Sequence, residues 1–507
     1  MSKTFYITTA IAYPNAKPHI GHAMELIQAD CIARYKRLQL GVDNVYFLTG
    51  TDEHGMKIVE TATAEGIRPQ ELVDRNSALF KELSALLNIS NDDFIRTSET
   101  RHKGGAAALW RKLREAGDIY KGIYKGLYCV GCEAYVLEKD LIDGKCSNHR
   151  KPPVAFEEEN YFFKLTKWIP EIRKLITSNA FRIVPESRKH EILNLLDDAE
   201  KERRDVSFSR PRKALSWGIP VPDDPEQTMY VWCDALSNYL TALDYEHEGA
   251  LYKKCWPADV HLIGKDIVRF HAGYWPAMLL SAKVPLPKAI YTHGFITVEG
   301  QKMSKSLNNV IDPVELVKKY GADAVRYYLL REVPTTDDGD FSATRFEIVY
   351  NSELANNFGN LVHRVTVMTH NYFGGKMPHA PLNGPLQTLF KKTRSEYEHS
   401  MEDFNIKEAM EVTVGFLTAL NQHIEEEKPW VLAKSDTSKL ASVMTTLIEG
   451  IRSACILLYP IIPHTVESVL KQYNTTIESA ATAKELNHFF AEGHRMEKGA
   501  PLFPKLG

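Results

Sequence analysis

The sequence is short of the features that mark membrane, secreted or strongly nucleic-acid-attracting proteins. No apolar run reads as long enough to span a bilayer, and the opening "MSKTFYITTAIAY" carries no apolar stretch with a cleavage site. An excess of either charge is missing. The formal net charge is −3 over 507 residues, so no global basic field draws in a nucleic acid, and any such contact must come from local patches. Cysteine is scarce and odd in number, seven in all, which excludes a disulfide framework and fits a reducing, cytoplasmic setting. Internal repeats and low-complexity tracts are also missing.

What is there is long and ordinary in composition: 44% hydrophobic and 25% charged residues, too many for one core, so two to four domains are expected. "TFYITTAIAY" (4–13) reads as a strand with Phe5, Ile7 and Ile11 on one alternating face. After the break "YPNAKP", Ile20, Met24, Ile27, Cys31 and Leu38 fall at helical spacing, with Pro18 just before the helix. "VYFLTGTDEHG" (45–55) reads as a second buried strand, and helical patterns fill much of 56–118. Strand, helix, strand, helix is the pattern of a doubly wound parallel sheet, which binds ligands at the carboxyl ends of its strands. Residues 119–160 interrupt it with Gly, Cys and Tyr, and the α/β pattern returns after the Pro-rich "SWGIPVPDDP" (216–225). From about 346 onward the chain is almost purely amphipathic helix, which predicts a helix bundle.

Three stretches carry chemistry. "HIGH" places His19 and His22 one turn apart at the mouth of a helix, where a dipole favours an anion; alone, the pair reads equally as structural. "GQKMSKSLNN" (300–309) offers Lys302, Lys305, Ser304 and Ser306 behind Gly300, donors suited to gripping a polyphosphate on a closing loop; alone, it reads as a solvated surface loop. "CVGCEAYVLEKDLIDGKCSNH" gives Cys129-x2-Cys132 and Cys146-x2-His149, two short-spaced ligand pairs that suit one tetrahedral, structural Zn2+ with no open position.

HIGH followed by KMSKS, both without a substitution, resembles the signature pair of the class I aminoacyl-tRNA synthetases. Within that class "TTAIAYPNAKPHIGH", "FLTGTDEHG", "YVWCDALSNY", "IGKDIVRFH" and "EEKPWVLAK" resemble the methionyl-tRNA synthetases over nearly the whole chain. The resemblance implies a Rossmann-type catalytic domain in two halves (1–118 and 228–298), split by a zinc-knuckle insertion (119–227). A KMSKS-loop and stem-contact region (299–345) and a helical anticodon-binding domain (346–507) then follow. It implies ATP with Mg2+, methionine and tRNA(Met), the initiator included, as partners. His19, His22, Lys302 and Lys305 would stabilise charge at the phosphates, and Gly21, Gly264, Asp266, Ser304 and Ser306 would bind ATP. Ala10, Ile11, Tyr13, Trp232, Ala235, Leu236, Tyr239 and His293 would line the amino-acid pocket, with Tyr13 and His293 reaching the sulfur and Asp52 taking the ammonium group. Ala16 and Leu236 stand where relatives often carry Gly and Pro, which leaves the pocket's shape open. Cys129, Cys132, Cys146 and His149 would form a one-zinc knuckle.

In the bundle, Asn360 and Arg364 are four apart on one helix face, and Trp430 follows Pro429 at a helix start. The resemblance makes these three anticodon readers, the tryptophan by stacking. The chain's end at "GAPLFPKLG" gives the expectation of a monomer without an appended tRNA-binding domain. Two other readings stay open at this point: an idle paralogue acting as a zinc-containing RNA-binding module, and a class I enzyme for cysteine or leucine.

Overall fold

Six strands run parallel in one sheet: β1 (Phe5–Thr9), β2 (Val45–Thr51), β3 (Asp93–Arg96), β4 (Arg182–Val184), β5 (Val260–Gly264) and β6 (Ala289–His293). Their order is β3-β2-β1-β5-β6-β4. The computed structural model describes residues 4–136, 138, 141–148, 150–203, 205–303 and 309–506, with only the backbone of Tyr124, Ala134, Tyr135 and Phe156. His149, Ser304, Lys305 and Ser306 therefore lie outside the described residues.

β1 pairs with β2 from Phe5↔Val45 to Thr8↔Leu48, and with β5 from Ile7↔Val260 to Thr9↔Leu262. All five residues of β1 are buried. The expected alternation is absent because a strand inside a parallel sheet is covered on both faces. Sequence order reverses at β1: the chain lays β2 and β3 on one side and returns with β5 on the other. That reversal opens a crevice at the carboxyl ends of β1 and β5, where such sheets bind ligands.

By contacts the chain forms two compact units. The first comprises Met1–Pro18, Asn44–Ser84 and Asn91–His293, and the second His19–Asp43, Ala85–Ser90 and Gly294–Gly507. The first unit's core gathers Tyr6, Leu48, Ile95, Trp110, Ile263, Trp275 and Ile290 around the sheet. Residues 119–227 are not a uniform insertion. An antiparallel sheet of Ile119–Cys129, Ala134–Val136, Val154–Phe163 and Val206–Ser207 occupies part of the span, while β4, from the same span, adds an edge strand beside β6.

The second unit begins with helix α1 (Ile20–Leu40), which sequence reading groups with residues 1–118. One buried cluster explains its grouping here. Asp30 accepts from Arg34 Nε (2.8 Å), from Arg326 (2.7 Å) and from the Ser90 N–H and hydroxyl (2.7 and 2.5 Å). Arg326 also donates to the Leu87, Pro460 and Ile461 carbonyls. Burial opposes the Asp30 charge, yet the two guanidiniums and Ser90 hold its carboxyl below the ordinary range. Beyond α1 the unit is mainly helical, as expected. One of its helices, Thr437–Leu458, is long and apolar enough to cross a membrane, contrary to the reading of the sequence. Its apolar window is 83% buried within the protein, which accounts for that composition by core packing.

Gly50 pairs with Ile95 between β2 and β3, and a Cβ at Gly50 would stand 2.0 Å from the Ile95 carbonyl oxygen. Gly50→Ala forces the two strands apart, because the obstacle is backbone. It is expected to cost about 3 kcal/mol or more, read as a lower midpoint of urea unfolding.

Candidate active site

Residues Ala10 to Tyr13 continue past β1 alongside the end of β2. The Ala12 N–H donates to Gly50 (3.0 Å), and the Asp52 N–H donates to Ala12 (2.8 Å). Across β1, the Ala10 N–H donates to Leu262 (3.0 Å). Ala10, Ile11, Tyr13 and Asp52 thus meet at the switch point. At the ends of β5 and β6, Gly264 pairs with His293. A Cβ at Gly264 would lie 2.9 Å from Asp266 Oδ1 and 3.8 Å from the His293 ring, so glycine leaves the space that both side chains border.

An aromatic group stands in the same unit. Trp232 stacks on Phe270 (centroids 3.7 Å, 9° apart) and meets His271 edge-on. Tyr239 lies against His271 and His261. His271 Nδ1 faces the Ile267 carbonyl and so carries a proton, leaving Nε2 to accept from the Tyr239 hydroxyl (2.7 Å). Burial keeps His271 neutral, its pKa down at about 4. Ala235 and Leu236 are buried on the short helix Val231–Leu236. Phe270 and His271 escaped sequence reading; they begin a locally widened helical segment, Phe270–Tyr274, of a kind frequent at functional sites.

Charge is concentrated around "TDEHG". Glu53, fully buried, accepts from Thr51, Ser77, Ser98 and twice from Arg96, while Trp217 donates to its carbonyl (2.6 Å). Asp234, also fully buried, accepts from His54 Nδ1 and His102 Nε2, each at 2.7 Å. Burial alone would raise its pKa; the two imidazoles override it and hold the carboxyl at about 2. Asp52 is different. It is buried, and its Oδ1 has no hydrogen-bond partner among the described residues. Burial, then the Asp234 and Glu133 carboxylates, push its pKa well above the ordinary range, with the His54 N–H opposing. A buried carboxylate oxygen without a donor, at the end of a strand, is suited to a cationic ligand. The Tyr13 hydroxyl, expected to face the sulfur, donates instead to Glu133 Oε1 (3.1 Å).

In the second unit, His19 caps α1 and His22 is its third residue, forming a reciprocal capping box. His19 Nδ1 accepts from the Gly21 N–H, and His22 Nδ1 from the His19 N–H, both at 3.1 Å. Each neutral ring therefore carries its proton on Nε2. The Ile20, His22 and Ala23 N–H groups donate to the Ile311 and His19 carbonyls. The backbone N–H groups at the helix mouth are thus already used, and the His19 Nε2–H is a donor the motif offers. A Cβ at Gly21 would sit 2.9 Å from His19 Cε1, so this glycine makes room for the His19 ring. Lys302 is exposed on the hairpin Ile296–Val298/Gln301–Lys302, and Asn309 donates to its carbonyl (3.2 Å).

Asn360 opens its helix and is exposed; Arg364, one turn on, pairs with Glu425 at 2.7 Å. Trp430 is 40% exposed, five residues past Glu425 at the start of Pro429–Ser435. Among the described residues, the Sγ atoms of Cys129, Cys132 and Cys146 lie within 4.8 Å of one another, and no disulfide joins them. Three convergent thiols of this kind fit a soft metal such as Zn2+.

Residues 5–149 and 132–366 match the family described as tRNA synthetases class I (M), and residues 386–493 match the anticodon-binding domain of tRNA ligase. The methionine–tRNA ligase of Thermotoga maritima is 41% identical over 513 residues, covering 99% of this chain and 80% of that protein. The Brucella suis methionine–tRNA ligase is 42% identical over 509 residues, covering 99% and 98%. A solved structure of Mycobacterium tuberculosis methionyl-tRNA synthetase in complex with methionyl-adenylate superposes with a TM-score of 0.93 at 37% identity, over 99% of this chain and 100% of that one.

Asp234 sets a pH dependence. Its carboxyl is at about 2 in the fold, below its ordinary value of 3.8, so it stabilises the native state above pH 4 and that contribution fades as pH falls through 2. The contribution is about 2 kcal/mol. The stability gap between wild type and Asp234→Asn, from urea midpoints, is expected to be full at pH 6 and about half reduced near pH 3.

Proposed function

The chain belongs to the class I methionyl-tRNA synthetases, which join methionine to tRNA at the expense of ATP, and on that premise we propose how its residues divide the work. One observation carries the assignment of the amino-acid pocket: Asp52 Oδ1, buried and without a partner among the described residues, next to the Ala10–Tyr13 strand end. The methionine ammonium group is the cation this oxygen receives. Ala10, Ile11, Tyr13, Trp232, Ala235, Leu236, Tyr239 and His293 enclose the side chain, with the Trp232 and Phe270 pair supplying polarizable contact for a thioether.

The methionine carboxylate attacks the α-phosphorus of ATP, the bond to the β-phosphate oxygen breaks, and pyrophosphate leaves. The nucleophile is already ionised, so the protein's part is position and charge stabilisation. We assign phosphate contacts to the Nε2–H groups of His19 and His22 and to Lys302 and Lys305, with Ser304 and Ser306 assisting. Gly21 accommodates the His19 ring, and Gly264 and Asp266 take the ribose. Mg2+ accompanies ATP and, when bound, neutralises phosphate charge. A terminal hydroxyl of the tRNA then attacks the methionyl carbonyl, and AMP departs.

Cys129, Cys132, Cys146 and His149 are assigned to one structural Zn2+, supported by the three convergent thiols. Asn360, Arg364 and Trp430 are assigned to the anticodon of tRNA(Met), initiator included, supported by the exposure of Asn360 and Trp430 on the bundle. A cytoplasmic monomer completes the reading.

Amino-acid-dependent ATP–pyrophosphate exchange across the twenty substrates tests it: only methionine is expected to give strong exchange. Asp52→Asn removes the charge that holds the ammonium group. Methionine KM should rise about thirtyfold or more, on a loss of about 2–5 kcal/mol; an unchanged KM would withdraw the role of Asp52.

Trp430→Ala separates the two steps. Loss of a base-stacking aromatic costs about 1–3 kcal/mol, so tRNA charging should fall about ten- to a hundredfold. Exchange without tRNA should hold, and so should thermal stability, since the indole is 40% exposed. A parallel fall in both activities would remove the anticodon role.

A further inference from the structure

Glu133 directly follows the second cysteine of the knuckle, yet the residue is only 5% exposed. The turn there closes through the Glu133 N–H on the Val130 carbonyl (3.3 Å), and Glu133 itself adopts a positive φ of 47°. Its Oε1 accepts from the Tyr13 hydroxyl (3.1 Å) and from the Lys57 N–H (2.7 Å). Oε2 accepts from the Tyr128 hydroxyl (2.6 Å), and the backbone carbonyl accepts from the Tyr230 hydroxyl (2.8 Å). One residue thus ties four segments: the extension of β1, the turn that follows Asp52, the strand leading into Cys129, and the approach to Val231–Leu236.

Gly55 shows how tight this junction is. It has φ +119°, and a Cβ on it would lie 2.4 Å from the Tyr13 hydroxyl oxygen and 2.8 Å from Glu133 Oε1. The Tyr13–Glu133 hydrogen bond therefore lies directly over the turn between Asp52 and Lys57. A side chain there would break the bond or the turn. Since Asp52 and Tyr13 are the proposed methionine contacts, the knuckle reaches them through one carboxylate.

We propose that Glu133 is a positioning residue for the amino-acid pocket, carrying the order of the metal knuckle to Tyr13 and to the turn after Asp52. The inference rests on the pocket assignment made above. It gives the knuckle a role in methionine binding. The chemistry also ranks the variants. Glutamine keeps one oxygen for the Lys57 N–H and the Tyr13 hydroxyl, and its amide can donate to the Tyr128 oxygen. Alanine leaves those donors unpaired, and aspartate is a methylene too short to reach them.

The experiment uses the full zinc-loaded chain. Methionine is titrated without ATP by tryptophan fluorescence, zinc is counted by elemental analysis, and KM is measured for methionine and for ATP. Glu133→Ala should keep one zinc per chain and weaken methionine binding roughly tenfold or more. Methionine KM should rise while ATP KM stays put, and Glu133→Gln should recover most of the loss. Chelating the metal from wild type should weaken methionine binding to a similar extent and add little to Glu133→Ala, as coupled perturbations do. Wild-type methionine binding in a zinc-loaded Glu133→Ala overturns the inference, as does full additivity with chelation. If Glu133→Ala fails to fold, Glu133→Asp decides: a raised methionine KM supports the role and an unchanged one overturns it. A wild-type chain that binds no methionine would instead bring down the pocket assignment itself.

Discussion

Asp52 is a buried carboxylate whose surroundings are arranged against its own charge. It shares the first unit with Asp234 and Glu133, both near enough to raise its pKa. Those two are satisfied from within the chain, Asp234 by two imidazoles and Glu133 by two hydroxyls and a backbone N–H. The compensation is uneven: the imidazole and hydroxyl donors are spent on the neighbours, and one oxygen of Asp52 is left over among the described residues. Because Asp234 stays ionised down to about pH 2, its field on Asp52 persists at neutral pH. A cation arriving at Asp52 relieves both the burial and the repulsion, so an ammonium group is received more strongly there than at a solvated carboxylate.

The support of that arrangement is spread through the sequence. His54 and Glu53 flank Asp52 in the chain, but their partners stand at 234, 96, 77 and 98, and the Trp217 indole closes the turn from behind. This explains what reading the sequence could reach. The doubly wound sheet was legible because β1, β2, β5 and β6 are apolar runs ending in polar residues. HIGH was legible as a helix entry because Pro18 and the spacing from Ile20 mark it. β3 was not, being four residues long, and β4 was not, lying within a span whose composition signals an insertion. His102 and Glu133 were silent for a different reason: a buried polar residue declares itself only through its partner, and these partners are remote in sequence.

The helix mouth at His19 corrects a local expectation in the same way. Spacing placed two histidines at a helix N-terminus, and the usual inference is that free N–H groups await an anion. The histidines themselves are the caps. Each Nδ1 takes one backbone N–H, which fixes the tautomer and makes Nε2 the donor in both rings. Burial lowers the His19 pKa, so this donor is a neutral imidazole at physiological pH. The helix mouth thus presents two imidazoles whose ring centroids lie 3.9 Å apart. In the phosphate role proposed for it, a directed neutral donor would hold an oxygen by geometry without drawing the full field of an imidazolium toward the ground-state triphosphate. Contacts of this kind stabilise charge where it develops and bind the starting nucleotide less strongly, which is the distribution a displacement at phosphorus requires.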